Sequence, residues 1–269
     1  MSFKDFRRAD NIAADPQTYE RENEAIARDG RLDAALREVA DWAGWDLLDV
    51  GAGTGFWLPR YAASAASVTG VEPDPQLLQA ARDRVRSVDN ADVMAGSAEH
   101  LPVADAAMDI VHARFAYFFG RGADAGLAEV RRVLRQGGTF IAIDIDWGWG
   151  EFSELLQMAT NGNAAIDPDG TDTWWREHAA DRISVRAGWQ AASSQEMETI
   201  LRLEFPDVVV DEFLVTRERS DPLSFGVALF VAHRWRRRPT TRLRVPRHRA
   251  RAESMIRALV TGNSVDGVA

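Results

Sequence analysis

Two features of the sequence have residue types and a spacing that suit ligand chemistry. The run from Gly51 to Gly55 has a glycine at every second position, and Glu72 ends the next short apolar run. Glycine lets a backbone approach a ligand closely, and a helix that follows such a turn offers unpaired N–H groups. A carboxylate at the end of the second strand can accept hydrogen bonds from both ribose hydroxyls. Together these features predict a nucleoside site.

Such a site needs a strand before the turn and a helix after it, and the hydropathy pattern predicts both. Short apolar runs alternate with segments whose apolar residues recur at helical spacing. This alternation predicts a Rossmann-like, doubly wound α/β fold of about seven strands, with ligands at the carboxyl ends of the strands. The predicted strands are 46–50, 67–71, 91–95, 108–112 and 139–145, and the predicted helices lie near 32–43, 56 onward, 74–88 and 123–134.

The alternation stops after strand five. Residues 147–205 hold five of the nine tryptophans and are predicted to form a mainly helical cap. Residues 208–215 and 224–232 are predicted as the last two strands. The expected organisation is an N-terminal helical segment (1–45), a main domain that includes the cap (46–236), and a basic tail (237–269), either disordered or forming a short helix.

Composition excludes several classes of function. The chain has 269 residues, no cysteine and a net charge of -9, and residues 233–257 carry ten arginines against one acidic residue, which leaves -18 on the remainder. An acidic body disfavours nucleic acid as the main partner. Without cysteine there is no disulfide framework, thiolate metal site or cysteine nucleophile. The longest apolar stretch, 223–232, is about half of a membrane span, so we expect a cytoplasmic protein with no membrane partner.

Five motifs identify a family. They are Leu47 to Gly55, Val71-Glu72-Pro73, Gly96 to Pro102, Met108 to Val111, and Glu129 to Gly138. In this order they resemble class I S-adenosylmethionine-dependent methyltransferases, above all the small-molecule branch related to the ubiquinone/menaquinone C-methyltransferases. The G-x-G-x-G spacing also differs from the G-x-G-x-x-G of nicotinamide and flavin folds.

The resemblance implies S-adenosyl-L-methionine as cofactor and assigns a set of residues to it. The glycine turn would hold the methionine part beside Asp49, Glu72 would hold the ribose, and Pro73 would lie against the adenine. Many relatives have Asp where this chain has Ser97 in the segment at the adenine edge. The full set is Asp49, Gly51, Ala52, Gly53, Gly55, Glu72, Pro73, Ser97, Ala98, Glu99 and Arg114.

The residues predicted to contact the methyl acceptor lie near the ends of strands four and five or in the predicted cap. His112 is either a general base or a packed core residue, and Asp146 either orients substrate or is a loop carboxylate. Aromatic side chains either line an acceptor pocket or pack the cap onto the sheet. The candidate pocket residues are Phe115, Tyr117, Trp147 and Trp174. No metal site is implied.

We therefore expect an enzyme that methylates an O, N or C atom of a small, partly aromatic metabolite. Two alternatives remain open at this stage. One is an RNA or protein methyltransferase that uses the basic tail, and the other is a module that binds the cofactor without transferring its methyl group.

Overall fold

The computed structural model describes residues 10–160, 167–216 and 222–233. Seven strands form one sheet: β1 (Asp46–Val50), β2 (Ser67–Glu72), β3 (Ala91–Ala95), β4 (Met108–Arg114), β5 (Leu134–Ile145), β6 (Asp181–Trp189) and β7 (Leu223–His233). Their order is β3-β2-β1-β4-β5-β7-β6. The first five strands are parallel, whereas β7 is antiparallel to both β5 and β6. This is the predicted doubly wound α/β fold.

Ten described helices cover the two faces of the sheet. They are α1 (Asp10–Ala14), α2 (Pro16–Asp29), α3 (Arg31–Val39), α4 (Leu58–Ala62), α5 (Pro75–Val85), α6 (Asp124–Val133), α7 (Glu151–Thr160), α8 (Pro168–Glu177), α9 (Ser194–Glu204) and α10 (Asp207–Thr216). Helices α2 to α5, α7, α9 and α10 share one apolar core with the sheet. Helices α6 and α8 pack on the opposite face.

The strand order reverses between β1 and β4. The chain leaves β3 at one edge and returns to place β4 beside β1, with Leu48 opposite Val111 in parallel register. A crevice forms at the carboxyl ends of the strands at such a switch point. The glycine turn after β1 and the residues after β4 therefore meet at one place.

Two predictions about the last third of the fold are wrong. Residues 181–189, expected in the cap, form the edge strand β6, and residues 208–215, expected to be a strand, lie in α10. In α10, Val209, Val210 and Phe213 are buried at helical spacing. Packing of this apolar stripe outweighs the strand preference of three consecutive valines.

The predicted basic tail, 237–269, lies outside the described residues. No helix among the described ranges has the length and apolar character needed to cross a membrane.

Candidate active site

The glycine turn joins β1 to α4 under tight steric limits. Gly51 and Gly55 have φ angles of +77° and +74°, which glycine adopts without strain. A Cβ at position 51 would lie 2.6 Å from Cβ of Ala116, and a Cβ at position 55 would lie 3.0 Å from Cα of Ala81. Both glycines are required by conformation and by space, and the turn packs against the chain that follows β4.

Glu72, the last residue of β2, is bonded to this turn. Its Oε2 accepts a hydrogen bond from the Gly53 N–H at 2.8 Å, and its Oε1 accepts one from the Asp74 N–H at 2.9 Å. Burial raises the pKa of Glu72 to about 7, although the two N–H groups act to lower it. This carboxyl group therefore changes charge near neutral pH at the position expected for the ribose.

Asp49 and Arg114 bring opposite charges to the ends of β1 and β4. Asp49 is 3% exposed, and burial raises its pKa to about 6 against the effect of Arg114. The Arg114 guanidinium lies 3.7 Å from the centre of the Trp57 ring. Its Nη2 donates to the Tyr61 hydroxyl at 3.2 Å and to Oδ1 of Asp33 at 3.4 Å.

Both side chains keep buried atoms that lack a partner. Within the described part of the chain, Oδ1 of Asp49 and both Nε and Nη1 of Arg114 make no hydrogen bond. Unpaired buried polar atoms cost free energy unless a ligand pairs with them. An α-amino acid group offers an ammonium to Asp49 and a carboxylate to Arg114, so the two residues fit the amino-acid end of a ligand.

The predicted adenine-edge residues lie next to Glu72. Pro73 follows β2, and Ser97 to Glu99 follow β3, where the His100 N–H donates to the Ser97 carbonyl at 3.0 Å and closes a turn. Ala98 is buried. These residues surround the same end of the sheet as the glycine turn.

A pair of charges on α6 fixes that segment. Glu129 accepts the Leu101 N–H at 3.0 Å, and Arg132 donates to the Leu101 carbonyl at 2.9 Å. The two side chains also bond to each other at 2.7 Å. The motif in α6 therefore positions the loop after β3.

The N-terminal helices cover the turn. Cδ1 of Ile12 lies 3.6 Å from the position that a Cβ on Gly53 would take. Glu20 accepts a short hydrogen bond from the Thr54 hydroxyl and pairs with Arg84 at 2.6 Å. Helices α1 and α2 therefore cover the glycine turn.

His112 occupies a different environment from the one expected for a general base. It is fully buried, with edge contacts to Trp42 (5.6 Å) and Tyr61 (5.3 Å) between ring centroids. Burial lowers its pKa to about 3, so the ring is neutral. This environment favours the packed core residue over the general base, and a catalytic role for His112 stays a prediction.

Asp146 is tied into an ion-pair network. Its Oδ1 lies 3.0 Å from Nη2 of Arg182, which also pairs with Asp172 of α8. Burial opposes ionisation, but hydrogen bonds from Ser184 and the Gly148 N–H, with the charge of Arg182, lower the pKa of Asp146. The network lies on the α8 side of the sheet, whereas Arg114 contacts α3, so an orienting role for Asp146 stays a prediction.

Three of the four predicted acceptor residues lie near the strand ends. Phe115 and Tyr117 follow β4 with φ angles of +49° and +58°. Such values are rare outside glycine and concentrate at functional sites. Phe115 packs 5.9 Å from Phe225 between ring centroids, and Trp147 is half-buried after β5. Their contact with an acceptor remains a prediction.

Trp174 belongs to the core, which corrects its assignment to the pocket. It is 4% exposed and packs against Trp175 and His178, with ring centroids 4.8 and 4.1 Å away. These residues lie in the core under α6 and α8, on the face opposite to Arg114. Trp174 and Trp175 are adjacent in the sequence, so their positions do not reveal which face of the sheet α8 covers.

Sequence reasoning missed the residues that hold Arg114. Asp33, Trp57 and Tyr61 come from helices or turns distant in sequence, and Asp33 is 81 positions away. A polar residue on an amphipathic helix has no sequence signal that distinguishes it from a solvated one.

The comparisons with known proteins agree with this geometry. A model described as "Methyltransferase domain" matches residues 48–142. The ubiquinone/menaquinone biosynthesis C-methyltransferase UbiE of Rubrivivax gelatinosus is 33% identical over 205 residues, which cover 72% of this chain and 71% of that protein. A malonyl-[acyl-carrier protein] O-methyltransferase of Geobacter sulfurreducens is 31% identical over 150 residues, covering 54% of this chain and 55% of that protein.

The solved structure of the YcgJ protein from Bacillus subtilis has the same fold. It is 20% identical with a TM-score of 0.52, and the match covers 77% of this chain and 99% of that one. With the matched family model and the relative that shares most of its length, these findings establish the family. The chain belongs to the class I S-adenosyl-L-methionine-dependent methyltransferases, in the UbiE-like group.

Proposed function

We propose that this methyltransferase acts on a small organic acceptor, and that the cofactor binds across the turn and the strand ends described above. Asp49 and Arg114 hold the amino-acid end, Glu72 binds the ribose, and Pro73 with residues 97–99 surrounds the adenine. S-adenosyl-L-methionine, when bound, supplies an electrophilic methyl group on a sulfonium. The protein's contribution is to bind, orient and exclude water.

The observation that carries the proposal is the set of buried Asp49 and Arg114 atoms that lack a hydrogen-bond partner within the described ranges. Asp49 and Arg114 are both buried, the charge of Arg114 acts on Asp49, and each side chain has atoms without a partner among the described residues. A nicotinamide or flavin nucleotide has no α-amino acid group to pair with them. The methionine part of the proposed cofactor has both charges in the required combination.

Three observations support a small acceptor. The helices α1 and α2 close the site, with Glu20 bonded to both Thr54 and Arg84. The acidic body of the chain opposes the approach of phosphate groups. The relatives are named for ubiquinone/menaquinone biosynthesis and for a malonyl-carrier substrate. A cytoplasmic location stays a prediction from the sequence.

The test is calorimetry with S-adenosylhomocysteine, the demethylated product. Glu72→Ala should weaken binding by about 1.5 to 3 kcal/mol, because hydrogen bonds to a charged acceptor are lost. Glu38→Ala, an exposed carboxylate on α3, is the matched control and should leave affinity unchanged. Tighter binding of NADH would contradict the cofactor assignment. Incubation with S-adenosylmethionine and a panel of phenols and amines should release S-adenosylhomocysteine. The same incubation with RNA or protein in place of these compounds should release none, which would exclude an RNA or protein methyltransferase.

A further inference from the structure

Arg114 ends β4 beside the glycine turn. Asp49 of β1 lies opposite His112 of β4 in parallel register, and Gly51 and Arg114 each follow two residues beyond this pair. Opposed residues of parallel strands point to the same face of the sheet, and so do residues two apart on one strand. The side chains of Asp49 and Arg114 therefore share one face, and this is the face on which Asp33 of α3 contacts the Arg114 guanidinium.

Three side chains surround part of this guanidinium. The centre of the Trp57 ring lies 3.7 Å from its central carbon, Cζ. The Tyr61 hydroxyl accepts a hydrogen bond from Nη2 at 3.2 Å, and Oδ1 of Asp33 lies 3.4 Å from the same nitrogen. Arg114, Trp57 and Tyr61 are all buried. These contacts use one face and one nitrogen of the guanidinium, and its Nε and Nη1 are buried without a partner in the described ranges.

Trp57 is itself held by Asn23 of α2. Its Nε1 donates to Oδ1 of Asn23 at 3.0 Å, and Nδ2 of Asn23 donates to the Tyr19 carbonyl at 3.1 Å. Nε1 is the only polar atom of an indole, so this bond fixes the edge of the ring while the guanidinium lies on its face. Asn23 is buried, and both ends of its amide are bonded. A continuous chain of contacts therefore runs from α2 through Trp57 to Arg114.

The orientation of this guanidinium matters for ligand binding because the side chain of arginine is long. An arginine that is free to rotate loses conformational entropy when it binds a ligand, and this loss lowers the affinity. An aromatic ring on one face and a hydroxyl on one nitrogen restrict that rotation before the ligand arrives. Nε and Nη1 remain as donors, and a carboxylate accepts hydrogen bonds from charged donors more strongly than a neutral oxygen does.

We propose that Trp57, Tyr61 and Asn23 are positioning residues that orient Arg114 toward the carboxylate of the cofactor's amino-acid end. The inference rests on the proposed function, in which Asp49 and Arg114 bind that end. Trp57 and Tyr61 act through Arg114, and Asn23 acts through Trp57. The packing of α2 over the glycine turn is thereby linked to selection for ligands that carry an α-amino acid group.

The experiment is calorimetry on the full chain with two ligands, S-adenosylhomocysteine and methylthioadenosine. Methylthioadenosine has the same adenosine and sulfur but a methyl group in place of the amino-acid chain. The wild type should bind S-adenosylhomocysteine at least about a hundredfold more tightly, because only this ligand offers charged groups to Asp49 and Arg114.

The variants of the three positioning residues should lose affinity for one ligand only. Trp57→Leu, Tyr61→Phe and Asn23→Leu should each weaken S-adenosylhomocysteine binding by about five- to tenfold and leave methylthioadenosine binding within about twofold. Trp57→Phe keeps a ring for the guanidinium but no donor for Asn23, so its loss should be smaller than that of Trp57→Leu. Trp45→Leu is the matched control, since Trp45 is 53% exposed in the turn before β1, and it should leave both affinities unchanged.

The two ligands separate positioning from folding. A variant that loses affinity for both ligands equally has a structural defect, and a variant that keeps both wild-type affinities does not need the removed contact to orient Arg114. Either result for both Trp57→Leu and Tyr61→Phe overturns the positioning role, and for Asn23→Leu it removes α2 from the proposal.

Arg114→Gln tests the proposed function separately. This variant should still bind methylthioadenosine and should lose most of the preference for S-adenosylhomocysteine. Equal binding of the two ligands by the wild type, or an unchanged preference in Arg114→Gln, would contradict the assignment of Arg114 to the cofactor. Loss of the preference in Arg114→Gln, with no change in the variants of Trp57 and Tyr61, would overturn only the positioning role.

Discussion

His112 is a chemically versatile residue whose surroundings are those of a packed core side chain. Both ring nitrogens are buried and lack a hydrogen-bond partner within the described ranges. The ring lies between Trp42 and Tyr61, in the core beneath α3 and α4. A buried imidazole with no partner stabilises the fold only through its apolar contacts. Its two nitrogen atoms lose their water without gaining a hydrogen bond, which opposes folding.

We therefore predict that His112→Leu is tolerated. Removal of two unpaired polar atoms should offset the change of shape, so the free energy of unfolding should change by less than about 1 kcal/mol or rise slightly. Urea denaturation measures this, and S-adenosylhomocysteine affinity should remain the same. A loss of about a hundredfold in methyl transfer with unchanged stability would restore His112 as a general base.

Other residues of the site follow from their positions in the sequence. Glu72 ends a predicted strand and Asp49 precedes the glycine turn, so strand register alone brings them to the crevice. The burial of His112 and Trp174 does not follow, because it depends on which helix covers each face. The pairing of Arg114 with Asp33 depends on how α3 docks, which no local pattern records.

Among the elements, the strands from β1 to β5 and β7 were predictable, whereas β6 and α10 were not. Strands β1 and β3 occupy the predicted residues 46–50 and 91–95. Strand β1 is a short apolar run because it is a buried parallel strand, whereas β3 lies at the edge and buries only Val93. Strand β6 differs in having charged or polar residues at alternate positions, as suits an edge strand with one solvated face. This alternation is hard to recognise in a segment that contains many tryptophans. The segment becomes a strand because it pairs with β7.

Trp174 and Trp147 differ in burial, and this difference predicts how much each contributes to the free energy of unfolding. Trp174→Ala removes a buried ring from the core that joins α8 to the sheet, and it should cost about 3 to 5 kcal/mol of unfolding free energy. Trp147→Ala removes a half-buried ring and should cost about 1 kcal/mol or less. Both variants should keep their S-adenosylhomocysteine affinity under conditions where they are folded.

Thermal denaturation of both variants measures the loss of stability, and calorimetry measures their affinity for S-adenosylhomocysteine. Equal losses of stability would mean that Trp147 also belongs to the core. A smaller loss for Trp174 would place α8 as a mobile cover rather than a packed layer. Impaired acceptor turnover by Trp147→Ala alone would support its predicted place in the pocket.

Burial raises the pKa of several carboxyl groups in the described part of the protein. Burial raises the pKa of Glu72 to about 7 and that of Asp49 and Asp144 to about 6. Asp49 and Glu72 belong to the cofactor site, whereas Asp144 lies on β5 near Asp172 and Arg182. The fold therefore holds protons more tightly than the unfolded chain does near pH 6.

This distribution predicts the pH dependence of stability. The raised pKa values make a contribution that is fully present below about pH 4, the range of unfolded carboxyl groups, and is lost as the pH rises through about 6 and 7. The lowered pKa of His112 acts in the opposite direction below about pH 6.5, but three carboxyl groups outweigh one imidazole. The melting temperature of the free protein should therefore fall between about pH 5 and pH 7. Asp144→Asn should flatten part of this decline without affecting the cofactor site.

Bound S-adenosylhomocysteine should oppose the same decline. Its ammonium and ribose hydroxyls favour the ionised forms of Asp49 and Glu72, so its affinity should increase as the pH rises and these groups lose their protons. Differential scanning calorimetry with and without the ligand, across that pH range, measures the effect. The stabilisation by ligand should grow with pH in the wild type and in Asp144→Asn, and it should grow less in Glu72→Gln. A ligand effect that is independent of pH in all three proteins would mean that neither carboxyl group changes its protonation when the cofactor binds.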